Sequence, residues 1–416
     1  MRFTKSVIIA GLGLLSVTAC ANEVMNNKQN VQQSQHTDKQ PALAKTPIVG
    51  AAQLDAYLPL LEGKRVALLV NQTSMIGATH LVDTLLSRNV KVTKIFSPEH
   101  GFRGEADAGS KVKDGIDPQT KLPVVSLYGK NKKPTAAQLA DIDVVVYDLQ
   151  DVGVRFYTYI SSLEYMMEAC AENNKTLIVL DRPDPLGAIV DGPVLQPKFK
   201  SFVGMQSIPV VYGMTVGEYA KMLVGEQWVV AKQLKMEIVP VKDWTRNQLY
   251  ALPVAPSPNL KNTTAILLYP SLCFFEGTVI SLGRGTDFPF QMFGHPKLKA
   301  AYPTYSFTPK SMPGATQPPL MNELCYGEMV ANDVDVAFSL VGDKLELKWL
   351  LDAYKAFPDK ANFFNKNNFF DLLAGTDQLR QQIIAGKSEA DIRKSWQTDL
   401  YQFKMIRAKY LIYPEN

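Results

Sequence analysis

Glu99, His100, Arg103, Glu105 and Asp107 crowd one glycine-punctuated stretch, FSPEHGFRGEADAG. It directly follows VKVTKIF, an apolar and β-branched run, so this charge collects where a buried strand stops. A second acid, Glu276 in FFEGT, follows two phenylalanines, an apolar setting of the kind that favours a neutral carboxyl. Cleavage of a glycosidic bond needs one acid at the leaving oxygen and a second group across the sugar. Glu99 and Glu276 are the candidate catalytic pair. The stretch DLQDVGVRFYTY adds Asp148, Gln150, Asp151, Arg155 and Tyr157 at another strand end, LDRPDPLG adds Asp181 and Arg182, and GRGTDFPF adds Arg284. Tyrosine stacks on sugar faces and keeps a hydroxyl to offer. An arginine clamps a carboxylate through two parallel hydrogen bonds. With His100 and Arg103 these are the candidate substrate contacts. The same residue types also build salt-bridged loop frames, and the sequence leaves both uses open.

Other chemistries fail on spacing. The loop after the first strand is NQTSMIGATH, without the glycines of a dinucleotide site, and no phosphate loop, G-x-S-x-G or H-E-x-x-H occurs. The folded part holds only His80, His100 and His295, and adjacent ligands such as Glu99 and His100 are poor metal geometry. No metal and no cofactor are therefore expected. The formal net charge of +4 is spread along the chain in short lysine groups, without the basic footprint of nucleic-acid binding.

The elements that must position these groups are legible as patterns. RVALLV, KVTKIF, LPVVSLYG, DVVVYDLQ and TLIVLDRP are short continuous apolar runs, as strands covered on both faces should be. Between them THLVDTLLSRN, TAAQLADI and ISSLEYMMEACAENN carry apolar residues at helical spacing. Alternation of this kind predicts an α/β fold, a Rossmann-like doubly wound and mainly parallel sheet, with IPVVYG and LKMEIVPV extending it. The five strand-end loops NQTS, SPEHGFRG, SLYG, DLQDVGVRFYTY and DRPDPLG then land at the carboxyl edge, where such sheets bind ligands. A helix is expected through TTAILLYPSLCFF. From about residue 300 the texture shifts to a smaller α+β domain that closes with two helices split at AGKSEAD.

At the other end, MRFTK is basic, SVIIAGLGLL is apolar but too short to span a bilayer, and VTAC completes a lipobox-like signal. Residues 1–20 are expected to be a lipoprotein signal peptide, with Cys20 lipid-modified. Residues 21–46, rich in Asn, Gln and Lys, are expected to be a disordered tether. The catalytic domain is assigned to 47–299 and the auxiliary domain to 300–416. The remaining cysteines, Cys170, Cys273 and Cys325, lie in apolar surroundings and read as buried free thiols. The expected location is a membrane surface facing the periplasm, the outer membrane in a Gram-negative cell. Nothing in the sequence sets the oligomeric state.

The motifs NQTS, SPEHGFRGEADAG, VSLYG, DLQDVGVRFYTYISSLEYMMEA, VLDRPDPLG, APSPNL and YPSLCFFEGTVISLGRGTDFPF, with the ending AGTDQLRQQIIAGKSEADIRKSW, occur in an order that resembles the exo-β-N-acetylmuramidase NamZ family. The resemblance runs from about Leu61 to Pro414. It implies a glycoside hydrolase that releases N-acetylmuramic acid from the non-reducing end of peptidoglycan fragments, on a Rossmann-like domain beside an auxiliary one. It places the catalytic acid at Glu99 and a second acid at Glu276. Two departures stand out: Tyr212 where the family often has histidine, and Asp184 where asparagine is expected. A carbohydrate-binding lipoprotein without turnover and a metal-dependent cell-wall deacetylase or amidase are the alternative classes.

Overall fold

The strand runs read from the sequence assemble side by side. The computed structural model describes residues 45–104, 107, 109, 113–230 and 233–415. The expected signal peptide, Cys20 and all of the tether except Lys45 and Thr46 lie outside them.

The main sheet is built from β1 (Val66–Val70), β2 (Val92–Ser97), β3 (Gly115–Ile116), β4 (Pro123–Ser126), β5 (Val144–Asp148), β6 (Thr176–Leu180) and β7 (Lys235–Val239). Its order is β3-β4-β2-β1-β5-β6-β7. The short edge strand β3 is antiparallel to β4, and every other pair is parallel. Leaving β3 aside, the first three parallel strands run one way from β1 and the last three run the other. That is the doubly wound order, with its switch point between β1 and β5.

Register divides each strand between two cores. Val66, Leu68 and Val70 stand opposite Val144, Val146 and Asp148. The apolar members of this set join Ile178 and Leu180 and pack under α1 (Leu54–Leu61) and α2 (Leu81–Ser87). Ala67, Leu69, Val145, Tyr147, Leu177 and Val179 face the other way, into a larger core shared with α4 (Tyr159–Glu172) and α5 (Val216–Gly225). Burying each large aliphatic side chain contributes roughly 1.5–3 kcal/mol. This explains why the runs are apolar throughout rather than alternating. The four-residue α3 (Ala136–Leu139), which lies between α2 and α4 in the chain, and α5 both start in reciprocal caps, Thr135 with Gln138 and Thr215 with Glu218.

IPVVYG does not join the sheet. Val211 makes isolated bridges to Val154 and Asp191 instead, because the segment lies over the loop beyond β5. The expected helix forms as α6 (Thr263–Leu272), which passes into a 3₁₀ turn at Cys273–Gly277. Beyond it, β8 (Met292–His295), β9 (Ser306–Phe307) and β10 (Cys325–Met329) form a small antiparallel sheet. The helices α7 (Val334–Val341), α8 (Lys348–Ala356), α9 (Phe369–Ala374), α10 (Gln378–Ile384) and α11 (Glu389–Arg407) complete the chain. Phe357, Leu373, Trp396 and Leu400 belong to the same buried core as Tyr147 and Leu163. The helical C-terminal region is thus packed on one face of the sheet.

Candidate active site

A cavity of about 800 Å³ opens beyond the carboxyl ends of β2, β4 and β5. Glu99 enters it from the turn after β2. His100 and Gly101 both adopt positive φ, 68° and 78°, which reverses the chain immediately after the acid. A non-glycine residue held there is strained, a condition that clusters at functional sites. Gly104 is required for a different reason: at φ 72° a Cβ would lie 2.2 Å from the Gln72 side chain.

Two partners fix the Glu99 carboxylate. Thr158 Oγ1 donates to Oε2 at 2.8 Å and the Gly109 N–H donates to Oε1 at 2.9 Å. Thr158 is the N-cap residue of α4, yet its hydroxyl caps no helical N–H and serves Glu99 instead. Tyr128, from the end of β4, lies beside this carboxylate. Burial first, and then the nearby carboxylate, push its hydroxyl well above its ordinary pKa. The Tyr128 ring leans on Phe202, with centroids 6.0 Å apart, and Lys132 lies over that same ring. Glu99, Thr158, Tyr128, Phe202 and Lys132 make one wall.

Glu276, Arg284, Cys273, Tyr269 and Phe290 make another. Arg284 Nε and Nη2 both donate to Glu276 Oε1, at 3.0 and 2.5 Å. Burial alone would lower the Arg284 pKa, and the Glu276 charge overrides it to give a net rise. Among the described residues the second oxygen, Oε2, receives only the Cys273 thiol, at 3.8 Å. Burial, then Glu276, raise the pKa of that thiol well above its usual value, so Cys273 is a neutral lining group and no nucleophile. Tyr157 lies between the walls, its ring edge-on to Tyr269, and its hydroxyl donates to the Pro256 carbonyl at 2.8 Å. A strap from Gly314 to Pro319 closes one side and is pinned where the Thr316 N–H donates to Asp107 Oδ2 at 2.8 Å. Phe369 and Leu373 of α9 contribute from the C-terminal region.

Of the candidate residues, Glu99, His100, Tyr157, Glu276 and Arg284 meet in this cavity, and the others do not line it. Arg103 is paired with Asp117 at 2.7 Å and stacked on Phe102. Asp148 and Arg182 form a fully buried ion pair at 2.5 Å that fills the switch point. Gln150 donates to the carbonyls of Asp151 and Pro183. Asp151 accepts from Tyr212 at 2.5 Å and from the Gly153 N–H at 2.7 Å, and burial raises its pKa to about 7. Asp181 accepts from Thr215, Gly217 and Tyr413 at 2.6–2.8 Å, which closes the end of β6 against the C-terminus. Arg155 is wholly buried and donates to the carbonyls of Pro193, Ile208 and Leu373. These groups frame the loops that carry the site. Both departures from the family pattern fall in this frame: Asp184 sits beneath Gly153, and Tyr212 bonds Asp151.

Tyr128, Lys132, Thr158, Phe202, Ser257 and Thr316 were not foreseen as lining. The motif VSLYG carried a signal for Tyr128. Lys132, in GKNKKP, reads as ordinary solvated charge. Among the described residues no group of three His, Cys, Asp or Glu side chains gathers to hold a metal ion.

Comparison with known proteins identifies relatives over nearly the whole chain. Family models described as exo-beta-N-acetylmuramidase NamZ, N-terminal and C-terminal, match residues 66–264 and 267–413. The chain is 37% identical over 434 residues to the peptidoglycan beta-N-acetylmuramidase NamZ of Bacillus subtilis, covering 99% of this chain and 100% of that protein. A crystal structure of a DUF1343 family protein from Bacteroides fragilis superposes with TM-score 0.81 at 45% identity, covering 89% of this chain and 100% of that one. A second DUF1343 family structure from the same organism gives 0.72 at 32% identity, over 88% and 99%. The matched models span nearly all of the described residues, and the chain belongs to the exo-β-N-acetylmuramidase NamZ family of glycoside hydrolases.

Proposed function

We propose that this protein removes N-acetylmuramic acid from the non-reducing end of peptidoglycan fragments, with Glu99 as the general acid. The observation that carries the reading is the pair of carboxylates, Glu99 and Glu276, lining one cavity in unlike surroundings. Glu99 accepts from two neutral donors, Thr158 and Gly109, with the Tyr128 hydroxyl beside it, whereas Glu276 is committed to an ion pair with Arg284. These unlike surroundings are the ground for giving the two carboxylates different roles. Glu99 gives its proton to the glycosidic oxygen, so that the departing sugar leaves as an alcohol. Glu276 serves the other side of the reacting carbon, where it orients the 2-acetamido group or the attacking oxygen. Tyr157, Tyr269 and Phe290 supply ring surface for the sugar faces. The name of the Bacillus subtilis relative and the family description support the substrate class.

The N-terminal region belongs to the same reading: a lipid on Cys20 and a flexible tether hold the enzyme close to the cell wall. The activity is tested by incubating purified protein with peptidoglycan-derived oligosaccharides and following the products by mass spectrometry. Release of N-acetylmuramic acid, with the remaining fragment shortened from its non-reducing end, is expected. Binding of the fragments without any cleavage would leave a carbohydrate-binding protein in its place.

A further inference from the structure

The described lining of the cavity holds two permanent cations, and their partners differ. Arg284 is matched by Glu276. Among the described residues Lys132 takes part in no hydrogen bond or ion pair, and its Nζ lies 4.4 Å from the centroid of the Phe202 ring. The next residue shows the contrast. Lys133 turns onto α4, where its Nζ stands 3.0 Å from Glu168 and 2.6 Å from Glu172. Of two consecutive lysines, one is paired on a helix and the other is half-buried in the cavity with no ion-pair partner among the described residues.

Partial burial of an ammonium is unfavourable unless something compensates the charge. The Phe202 face supplies part of this and fixes the position of Nζ, while the N–H donors remain available. Phe202 in turn touches Tyr128, which lies beside Glu99, so this cation stands on the wall that carries the proposed general acid. The arginines that could have met an anionic sugar are engaged: Arg103 by Asp117, Arg155 by three backbone carbonyls, and Arg284 by Glu276.

We propose that Lys132 is the residue that selects the substrate, by receiving the carboxylate of the lactyl ether on the sugar bound beside Glu99. That carboxylate distinguishes N-acetylmuramic acid from N-acetylglucosamine. The assignment rests on the reading of the cavity as a muramidase site. A charge-assisted contact of this kind alters discrimination by about ten- to a hundredfold.

The test compares wild type, Lys132→Met and Lys132→Arg on an aryl β-N-acetylmuramide, its lactyl methyl ester and an aryl β-N-acetylglucosaminide. Wild type should prefer the free acid to the ester by about tenfold or more. Lys132→Met should erase that preference, mainly through KM, and Lys132→Arg should restore most of it. Equal turnover of acid and ester by wild type overturns the proposal without recourse to any variant. So does an unchanged ratio in folded Lys132→Met. Calorimetry with free N-acetylmuramic acid separates this claim from the catalytic one. Affinity that falls about tenfold in Lys132→Met upholds the lysine even if wild type hydrolyses nothing. Equal affinities, or no binding to wild type, overturn it.

Discussion

Glu99 depends on its immediate neighbours for its position: a strained His100 behind it, a hydroxyl from the start of α4 and a backbone N–H from Gly109. Glu99→Gln preserves the shape and removes the transferable proton. Turnover of natural oligosaccharides should fall about 10²–10⁴-fold, the usual contribution of a general acid. An aryl glycoside with a strongly acidic phenol needs little protonation on departure, so its turnover should be partly spared. Steady-state kinetics on the two substrates check this. Near-wild-type rates on both would remove Glu99 from the mechanism and leave Glu276 as the acid to examine.

At the scale of elements, α4 sets the site. Its first turn delivers Thr158 to Glu99, so its seating on the sheet governs the position of the acid. That seating includes a buried carboxyl. Glu164, on α4, is fully inaccessible and accepts from Tyr219 of α5 at 2.6 Å and from Gln206 at 2.7 Å. Burial raises its pKa to about 7, against the opposing effect of those two donors. A folded value above the unfolded one means that stability from this group is complete below about pH 4.5 and is lost as pH rises through about 7. Urea unfolding of wild type between pH 5 and 8 should show this decline, to which Asp151, also raised to about 7, adds. Glu164→Gln should remove the share due to Glu164, roughly 3 kcal/mol at 1.36 kcal/mol per pKa unit. Parallel stability profiles for the two proteins would refute the assignment.

For the whole molecule, Arg155 joins the loop beyond β5 to α9. It bonds the Leu373 carbonyl, 218 residues further along the chain, and the carbonyls of Pro193 and Ile208. Burial lowers its pKa to about 9, so it remains charged at neutral pH. Phe369 and Leu373 line the cavity, so this bridge also holds part of its wall. Arg155→Met takes the guanidinium from the Pro193 and Leu373 carbonyls, while the Ile208 carbonyl keeps the Leu195 N–H and one desolvated charge is relieved, a net loss of about 2–4 kcal/mol. Urea unfolding measures it, and an unchanged midpoint would show that the bridge contributes nothing. The same scale includes the membrane. A fatty-acid probe should label the mature protein at Cys20, and a soluble, unlabelled protein starting at another residue would exclude the anchor.

The sequence by itself determined the strands, because a strand covered on both faces must be apolar along its length and VALLV or VVVYD has few other uses. It determined that Glu99 stands at a strand end, that the polar loops share one edge, and, through motifs as long as SPEHGFRGEADAG, the family. Which loop residues face the cavity was decided only by the tertiary structure. Arg155 and Tyr157 are two positions apart in one motif, yet the first is drawn under the loop by a carbonyl from α9 and the second lines the site. Lys132 and Lys133 are adjacent, and only the packing of Phe202 and the acids of α4 separates their roles. The direction of a side chain in a loop depends on partners that arrive from far along the chain, and local sequence has no pattern for those.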